Sequence, residues 1–427
     1  MFTLILVGLL VLVLLNVPLA VAIGLASMAY LWKEGIPFSI VAQQMLQSVD
    51  SFPFLAFPMF VLVGLLMNSG GISRRIFNFA NVLVGHLHGG LGHVNVLASI
   101  IFAGMSGNAI ADAGGLGVIE IKAMRDEGYD DDFSAAITAA SSTIGPIIPP
   151  SIPMVIYAMA FEASIGSLFL GGIIPGLLMG LTLMITVYFI ARKRNYPKQE
   201  RRATAKEFWT ALKGGFLPLL TPVILLGGIF SGIFTPTEAA AVAVVYSIIL
   251  GGLVNKELKL REIPEMAKSV LLNLGTVLFI LATVSVFTWI LSREKVPDLL
   301  VGFISKANLS PNMFLLIANV ILLILGCFTT ITPAIILLGP IFLPIITTLG
   351  IDPVHFGVVM VLNLMIGALT PPVGPVVYVV ADIVKLPFFR VFRATVPFLV
   401  PLLVTLVLIT FFPQLVLFIP NMVGLRG

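Results

Sequence analysis

The sequence predicts an all-α polytopic membrane protein made of two inverted repeats, each holding a re-entrant helical hairpin. Three observations predict it: the apolar composition, the lengths of the apolar runs, and glycine and proline breaks that recur at one offset. Hydrophobic residues make up 59% of the 427 positions and charged residues 10%, with a mean hydropathy of +1.11. No soluble packing hides that much apolar surface, so lipid must be the solvent. Many runs of 17 to 30 residues are long enough to cross a hydrocarbon core of roughly 30 Å at about 1.5 Å per residue.

The first 31 residues are apolar, lack a basic leading segment and continue past Ala20-Val21-Ala22, which predicts an uncleaved spanning helix. Further crossings are expected at 53–70, 131–163, 165–191, 216–232, 236–254, 266–292, 353–384 and 396–419. Segments 91–121 and 311–349 are apolar but broken, at Gly104-Met105-Ser106-Gly107-Asn108 and at Gly326 to Pro333. Both are expected to enter and leave the bilayer on one side.

Charge tests this topology independently. With the N-terminus inside, nineteen of the 24 lysines and arginines fall on cytoplasmic loops, including eight between Arg192 and Lys213. Only Lys33, Arg293, Lys295, Lys306 and Arg426 lie outside, as the positive-inside rule requires. The basic pI of about 9.2 reflects those loops, and no soluble basic domain exists to bind nucleic acid. One cysteine, Cys327, excludes an intrachain disulfide.

An offset of 222 residues superimposes Gly128, Asp130, Ile144, Gly145, Pro149, Pro150, Pro153, Val155 and Pro175 on Gly350, Asp352, Ile366, Gly367, Pro371, Pro372, Pro375, Val377 and Pro397. The predicted organisation is a first repeat over 1–191, a basic loop and linking helix over 192–235, and a second repeat over 236–427. The odd helix at 216–232 turns the second copy upside down, the plan of secondary transporters with sites near mid-bilayer.

Proline removes a donor and clashes with the preceding turn, so Ile144-Gly145-Pro146-Ile147-Ile148-Pro149-Pro150 and Ile366-Gly367-Ala368-Leu369-Thr370-Pro371-Pro372 should unwind and free carbonyls in the bilayer. A hard cation suits such oxygens. Ser106 and Asn108 on the first tip, and Thr329, Thr330 and Thr332 on the second, add hydroxyl and amide oxygens. These small polar groups either cap the hairpin helices or also meet ion and solute. No lysine or arginine occurs over 91–121 or 311–384. A bound carboxylate must therefore be held by helix N-termini, hydroxyls and sodium, and Ser141, Ser142 and Thr143 are placed to contribute. Asp112 is a costly intramembrane carboxylate that either serves function or steadies a helix N-terminus.

Other features read as structural. His86, His88 and His93 lack cysteine or glutamate company for a metal. Thr235-Pro236-Thr237-Glu238 fits a capping box, and Gly172, Gly176 and Gly180 predict a close helix contact.

Together, Phe102 to Asp112, Ile144 to Ser151, Gly232 to Ala241, and Leu369-Thr370-Pro371-Pro372-Val373-Gly374 resemble the large membrane subunit of tripartite ATP-independent periplasmic (TRAP) transporters, essentially throughout the chain. The resemblance implies a bacterial inner-membrane protein working as an elevator, with two sodium sites. It places Ser106, Asn108, Gly145, Ile148 and Pro150 at the first site and Thr330, Gly367, Thr370 and Pro372 at the second. The match between tips is imperfect, since Ser106 maps onto Phe328. It also implies three partners: a small membrane subunit, a periplasmic solute-binding protein and a carboxylate solute. No extension for a fused small subunit is read at either end.

No Gly-x-x-x-x-Gly-Lys occurs, so an ion gradient must supply the energy. A stand-alone sodium- or proton-coupled anion symporter of related fold is the nearest alternative. An intramembrane hydrolase would need a buried nucleophile with a base, which four histidines at interfaces and a helix start do not offer.

Overall fold

The structure is a computed structural model and describes residues 7–9, 11, 12, 15, 17–197 and 201–424. The start of the expected 3–31 crossing lies outside them. All regular elements among the described residues are helical. They are α1 (Leu19–Lys33), α2 (Ser39–Val49), α3 (Ala56–Ser69), α4 (Ile72–Val84), α5 (Gly90–Ser106), α6 (Ala109–Gly114) and α7 (Leu116–Asp126). There follow α8 (Asp131–Ser142), α9 (Ile152–Ala160), α10 (Ile165–Arg194), α11 (Ala205–Phe230), α12 (Pro236–Ile248, continued by a π-helical turn to Val254) and α13 (Ile263–Arg293). The chain ends with α14 (Val296–Lys306), α15 (Pro311–Phe328), α16 (Ile331–Thr348), α17 (Pro353–Gly367), α18 (Pro375–Val384), α19 (Phe388–Phe411) and α20 (Gln414–Val423).

Seven helices, or eight if one bent pair counts as a span, are long and apolar enough to cross a membrane among the described residues. The protein is a multi-pass membrane protein. The run at 53–70 gives α3 as a single helix, after which the chain bends by 72° into α4. Gly71, at φ 72°, supplies that corner, because only glycine adopts it without steric cost. The last crossing ends at Phe411, where Pro413 starts α20. The linking helix begins at Ala205 rather than 216, nucleated by a capping box of Thr204 and Glu207. Lys206 and Lys213 thus belong to a helix, not a loop. In the second broken pair, each arm is 18 residues long, about 27 Å at the helical rise.

The helices form two groups. In one, α13 packs on α1, α2 and α3, α12 on α3 and α11, and α11 on α4. In the other, α8 packs on α5, α7, α18 and α19, α17 on α15 and α19, and α10 on α5, α19 and α20. The groups meet where α5 lies on α3, α4 and α11, and where α16 meets α13. Of the glycines expected at a close helix contact, Gly180 on α10 meets a helix, a Cβ falling 2.4 Å from Ile100 of α5, whereas Gly172 and Gly176 meet the unwound segment instead, at 2.0 Å from the Ile147 carbonyl and 2.3 Å from Ile148. The Thr235–Glu238 capping box is also formed.

On the side where the basic loops cluster, an aromatic and ionic clasp ties the end of α10 to the start of α8. Arg194 donates to Asp130 (2.9 Å) and Asp132 (3.1 Å), and the Tyr196 hydroxyl donates to Asp130 at 2.6 Å. Tyr196 stacks on Tyr129 at 4.5 Å. Tyr129 has its phenol pushed up to about 12, chiefly by burial. The Tyr196 hydroxyl and then the Arg194 guanidinium hold the Asp130 carboxyl below its ordinary range, against desolvation that raises it. A depressed carboxylate stabilises the fold above its unfolded value near 3.9 and loses that contribution as pH falls through its folded value. Arg194→Gln should therefore move the acid-unfolding midpoint upward and cost only about 0.5 kcal/mol at neutral pH, because the pair is largely exposed. An acid titration followed by intrinsic fluorescence in detergent checks this, and an unchanged midpoint would refute it.

Candidate functional site

Both expected helix breaks are present in the structure. Helix α8 stops at Ser142 and α17 at Gly367, α9 and α18 resume at Ile152 and Pro375, and the Pro149-Pro150 and Pro371-Pro372 bonds are both cis. At each break the chain returns to the tip of the preceding helix pair. Ile152 N–H donates to the Gly107 carbonyl at 3.3 Å, and Val373 N–H donates to the Cys327 carbonyl at 3.1 Å. Backbone groups freed by the prolines thus have partners on the tip, as an unwound segment in an apolar core requires.

The first junction is close-packed. Gly107, at φ 59°, has room for no Cβ, which would stand 2.3 Å from the Pro150 carbonyl. Gly145 faces Asn108, with a Cβ position 3.6 Å from the Asn108 backbone. Asn108 caps α6: its Oδ1 accepts from Ile110 N–H at 2.9 Å and Ala111 N–H at 3.4 Å. Ser106 is buried, and its hydroxyl has no hydrogen-bond partner. Of the residues expected at the first cation site, Ser106, Asn108, Gly145 and Pro150 therefore lie at one tip-and-break junction, while Ile148 packs on Gly176 of α10.

The second junction is more open. Gly367 and Gly326 touch backbone to backbone, a Gly367 Cβ falling 2.5 Å from the Gly326 Cα. Thr370 turns its hydroxyl back on the Ile366 carbonyl at 2.9 Å. Thr330 stands at the N-cap of α16 without a side-chain cap bond. Thr330 and Pro372 are exposed, and Thr329 and Thr370 are half-buried. Phe328, where the first tip has Ser106, is 64% exposed. Meanwhile the first tip is covered by the other helix group: Gly64 on α3 faces Ser106 with a Cβ position 3.3 Å from its Cα, and Gly104 faces Pro222 at 2.8 Å. Gly64 and Pro222 were missed from sequence, and Gly104 was read only as part of the break, because nothing local marks which helix they meet.

The expected solute contacts fare differently. Ser141, Ser142 and Thr143 are fully buried with committed hydroxyls. Ser141 donates to Asn95 Oδ1 at 2.6 Å, while Ser142 and Thr143 bond back to the Ala139 (2.9 Å) and Ala140 (2.6 Å) carbonyls. The structure places them in the seam between α5 and α8, joined by Asn95 donating to Thr138 at 2.7 Å. A comparable buried bond joins α15 and α17, Asn363 donating to Asn319 Oδ1 at 2.7 Å. Asp112 caps no N–H; it is buried with both oxygens unpartnered, and so is Glu120. Glu120 escaped the sequence reading, although it is the other carboxylate of segment 91–121. His93 contacts the His88 carbonyl at 3.2 Å, and no group of three or more metal-ligating side chains occurs among the described residues.

Residues 6–415 match the family described as the tripartite ATP-independent periplasmic transporter, DctM component. The chain belongs to this TRAP family. It is 49% identical over 403 residues, covering 94% of this chain and 93% of the relative, to the sialic acid TRAP transporter large permease protein SiaM of Vibrio cholerae. It is 41% identical to the C4-dicarboxylate TRAP transporter large permease protein DctM of Pseudomonas aeruginosa, covering 90% of each. Among solved structures, the YdaH transporter of Alcanivorax borkumensis superimposes with a TM-score of 0.66 over 88% of each chain at 13% identity, a likeness of fold alone. As a TRAP large permease the chain is a transporter, not an enzyme.

Proposed function

We propose that this permease imports a carboxylate-bearing solute by sodium symport across the bacterial inner membrane. In this reading the two helix pairs are re-entrant hairpins of inverted repeats, with the N-terminus in the cytoplasm. The group built on α5–α10 and α15–α20 moves as an elevator against the group built on α1–α4 and α11–α13. A small membrane subunit and a periplasmic solute-binding protein complete the system, as the TRAP names of the relatives suggest. The relatives named for sialic acid and C4-dicarboxylates both handle carboxylates, which supports that solute class.

One observation carries the sodium assignment: the convergence of the unpartnered Ser106 hydroxyl, the Asn108 amide and the unwound segment at 145–150. Oxygen-only donors from an unwound helix suit a hard cation. The second site, at Thr330, Gly367, Thr370 and Pro372, is supported by the repeat and by the Cys327–Val373 backbone bond. With no basic side chain over 91–121 or 311–384, bound sodium also supplies the countercharge for the solute carboxylate, so ion and solute occupancy are coupled through charge.

Each net charge crossing gains about 2.3 kcal/mol per 100 mV. Two sodium ions with a monoanion therefore move current, whereas with a dianion they do not. Reconstituted permease with its small subunit and ligand-loaded binding protein should take up solute only when sodium is outside. Uptake unaffected by replacing sodium with choline would sink this function, and uptake without the binding protein would favour a stand-alone symporter.

A further inference from the structure

We propose that a notch between α4 and α11 holds the headgroup of an anionic phospholipid, and that the lipid braces these two helices against each other. The proposal goes beyond the transport reading and is independent of the sodium assignment; it needs only that α11 crosses the bilayer.

Helices α4 and α11 meet along one line. A Gly215 Cβ would stand 3.6 Å from the Phe79 Cβ and 4.0 Å from the Arg75 carbonyl, and the Phe79 and Phe208 rings lie 6.4 Å apart. Beside that line the helices leave a cavity of about 430 Å³, walled by Arg75, Asn78 and Val82 of α4 and by Lys206, Thr210 and Gly214 of α11. Spacings of three and four put each triplet on one helix face. The cavity is open along α11, since a Cβ at Gly214 would meet nothing within 4 Å.

Depth and charge select the occupant. Because α3 turns by 72° into α4, α4 leaves the crossing direction and runs near the bilayer surface. No charged residue follows Lys213 until Glu238, so the cavity lies where hydrocarbon gives way to headgroups. Trp209, 58% exposed on α11, stands at the level where tryptophan concentrates. The carboxylates nearby are committed: Glu207 accepts from Arg201 at 2.7 Å and from the Thr204 N–H at 2.7 Å. Glu257 pairs with Arg75 through the single nitrogen Nη1, at 2.9 Å. Lys206 and Lys213 are exposed and have no ion pair among the described residues. Surplus positive charge at this depth attracts the phosphodiester of a lipid with net negative charge. A free phosphate would satisfy the cations but leave Val82, Ala211 and Gly214 uncovered, whereas the glycerol and first methylenes of a lipid cover them. Helix α4 also packs on α5, so a lipid seated here stiffens the connection between the two helix groups.

The test melts full-length permease with its small subunit, delipidated in detergent, with added phosphatidylglycerol, phosphatidylethanolamine or inorganic phosphate. Phosphatidylglycerol should raise the melting temperature saturably. Phosphatidylethanolamine should do far less, because its ammonium cancels the charge, and phosphate should do nothing. Lys206→Gln should need about fivefold more phosphatidylglycerol for the same shift, the loss expected for one lysine at an anionic surface. Gly214→Leu fills the open side without altering charge, so it should fold and lose the shift. Lys193→Gln, the same charge change at the end of α10, should keep it. Equal shifts from phosphatidylglycerol and phosphate would put a free anion in place of the lipid. Equal shifts from both lipids, or an equal loss in Lys193→Gln, would reduce the effect to unspecific lipid or charge. Each of these results overturns the notch as an anionic-lipid site, as does a wild type that does not respond or a Gly214→Leu protein that responds in full.

Discussion

Gly367→Ala is expected to abolish the folded permease, although it adds one methyl group. The Cβ would stand 2.5 Å from the Gly326 Cα, 2.6 Å from its carbonyl carbon and 3.1 Å from the Cys327 nitrogen. All three are backbone atoms, so no rotamer change relieves the clash. Helix α15 must move off α17, breaking the Asn363–Asn319 bonds and the Cys327–Val373 bridge. Overpacking of this kind costs about 3 kcal/mol or more when the backbone cannot yield. Two controls bracket the effect. Gly275→Ala on α13 meets nothing within 4 Å and should gain a few tenths to about 1 kcal/mol from helix propensity. Gly145→Ala, the repeat partner, meets Ser142 O at 3.2 Å and Asn108 at 3.6 Å, so it should fold and melt a few degrees lower. Fluorescence-detected gel filtration and thermal unfolding rank the three. Gly367→Ala with a wild-type melting temperature would show that the two junctions are not packed as described.

That contrast bears on what the sequence makes legible. Composition and run length were enough for a multi-pass helical protein, since lipid leaves the backbone few alternatives. The breaks at 144–150 and 366–372 were legible because proline and glycine act locally, whatever the neighbours. Hydropathy, however, averages over corners: the break at Pro413 sits inside the apolar run 396–419 and leaves no trace in it. Side-chain direction is likewise hidden. Ser141, Ser142 and Thr143 read as available hydroxyls, yet α8 is surrounded by α5, α7, α18 and α19, and every face of it is buried. Glu120 was obscured differently. It stands eight residues after Asp112, but the corner at Gly115, at φ −99° and ψ −81°, separates their helices, so helical periodicity does not extend from one to the other.

The same limit applies at the first junction, where one side chain serves two purposes that mutation can separate. Asn108 caps α6 through Oδ1, and in the proposed function the same amide oxygen faces the cation. Asn108→Ala removes both, costing about 1 kcal/mol of stability through the cap and one oxygen ligand. Asn108→Asp keeps the acceptor, since aspartate caps as well as asparagine, and its charge suits the N-terminus of α6. If Asn108 only caps, Asp should behave as wild type in every assay, and Ala should lose stability while keeping its sodium half-saturation. If it also binds sodium, Ala should raise the sodium half-saturation about tenfold, corresponding to roughly 1.4 kcal/mol of lost binding. Asp should then melt near the wild-type temperature without sodium yet bind sodium more tightly, as a carboxylate attracts a cation more than an amide does. Tighter binding slows release on the inner face, so maximal uptake by Asn108→Asp should fall even as sodium affinity rises. Sodium titration of uptake, paired with melting curves in choline, distinguishes the outcomes, and an alanine variant with wild-type sodium half-saturation would remove Asn108 from the site.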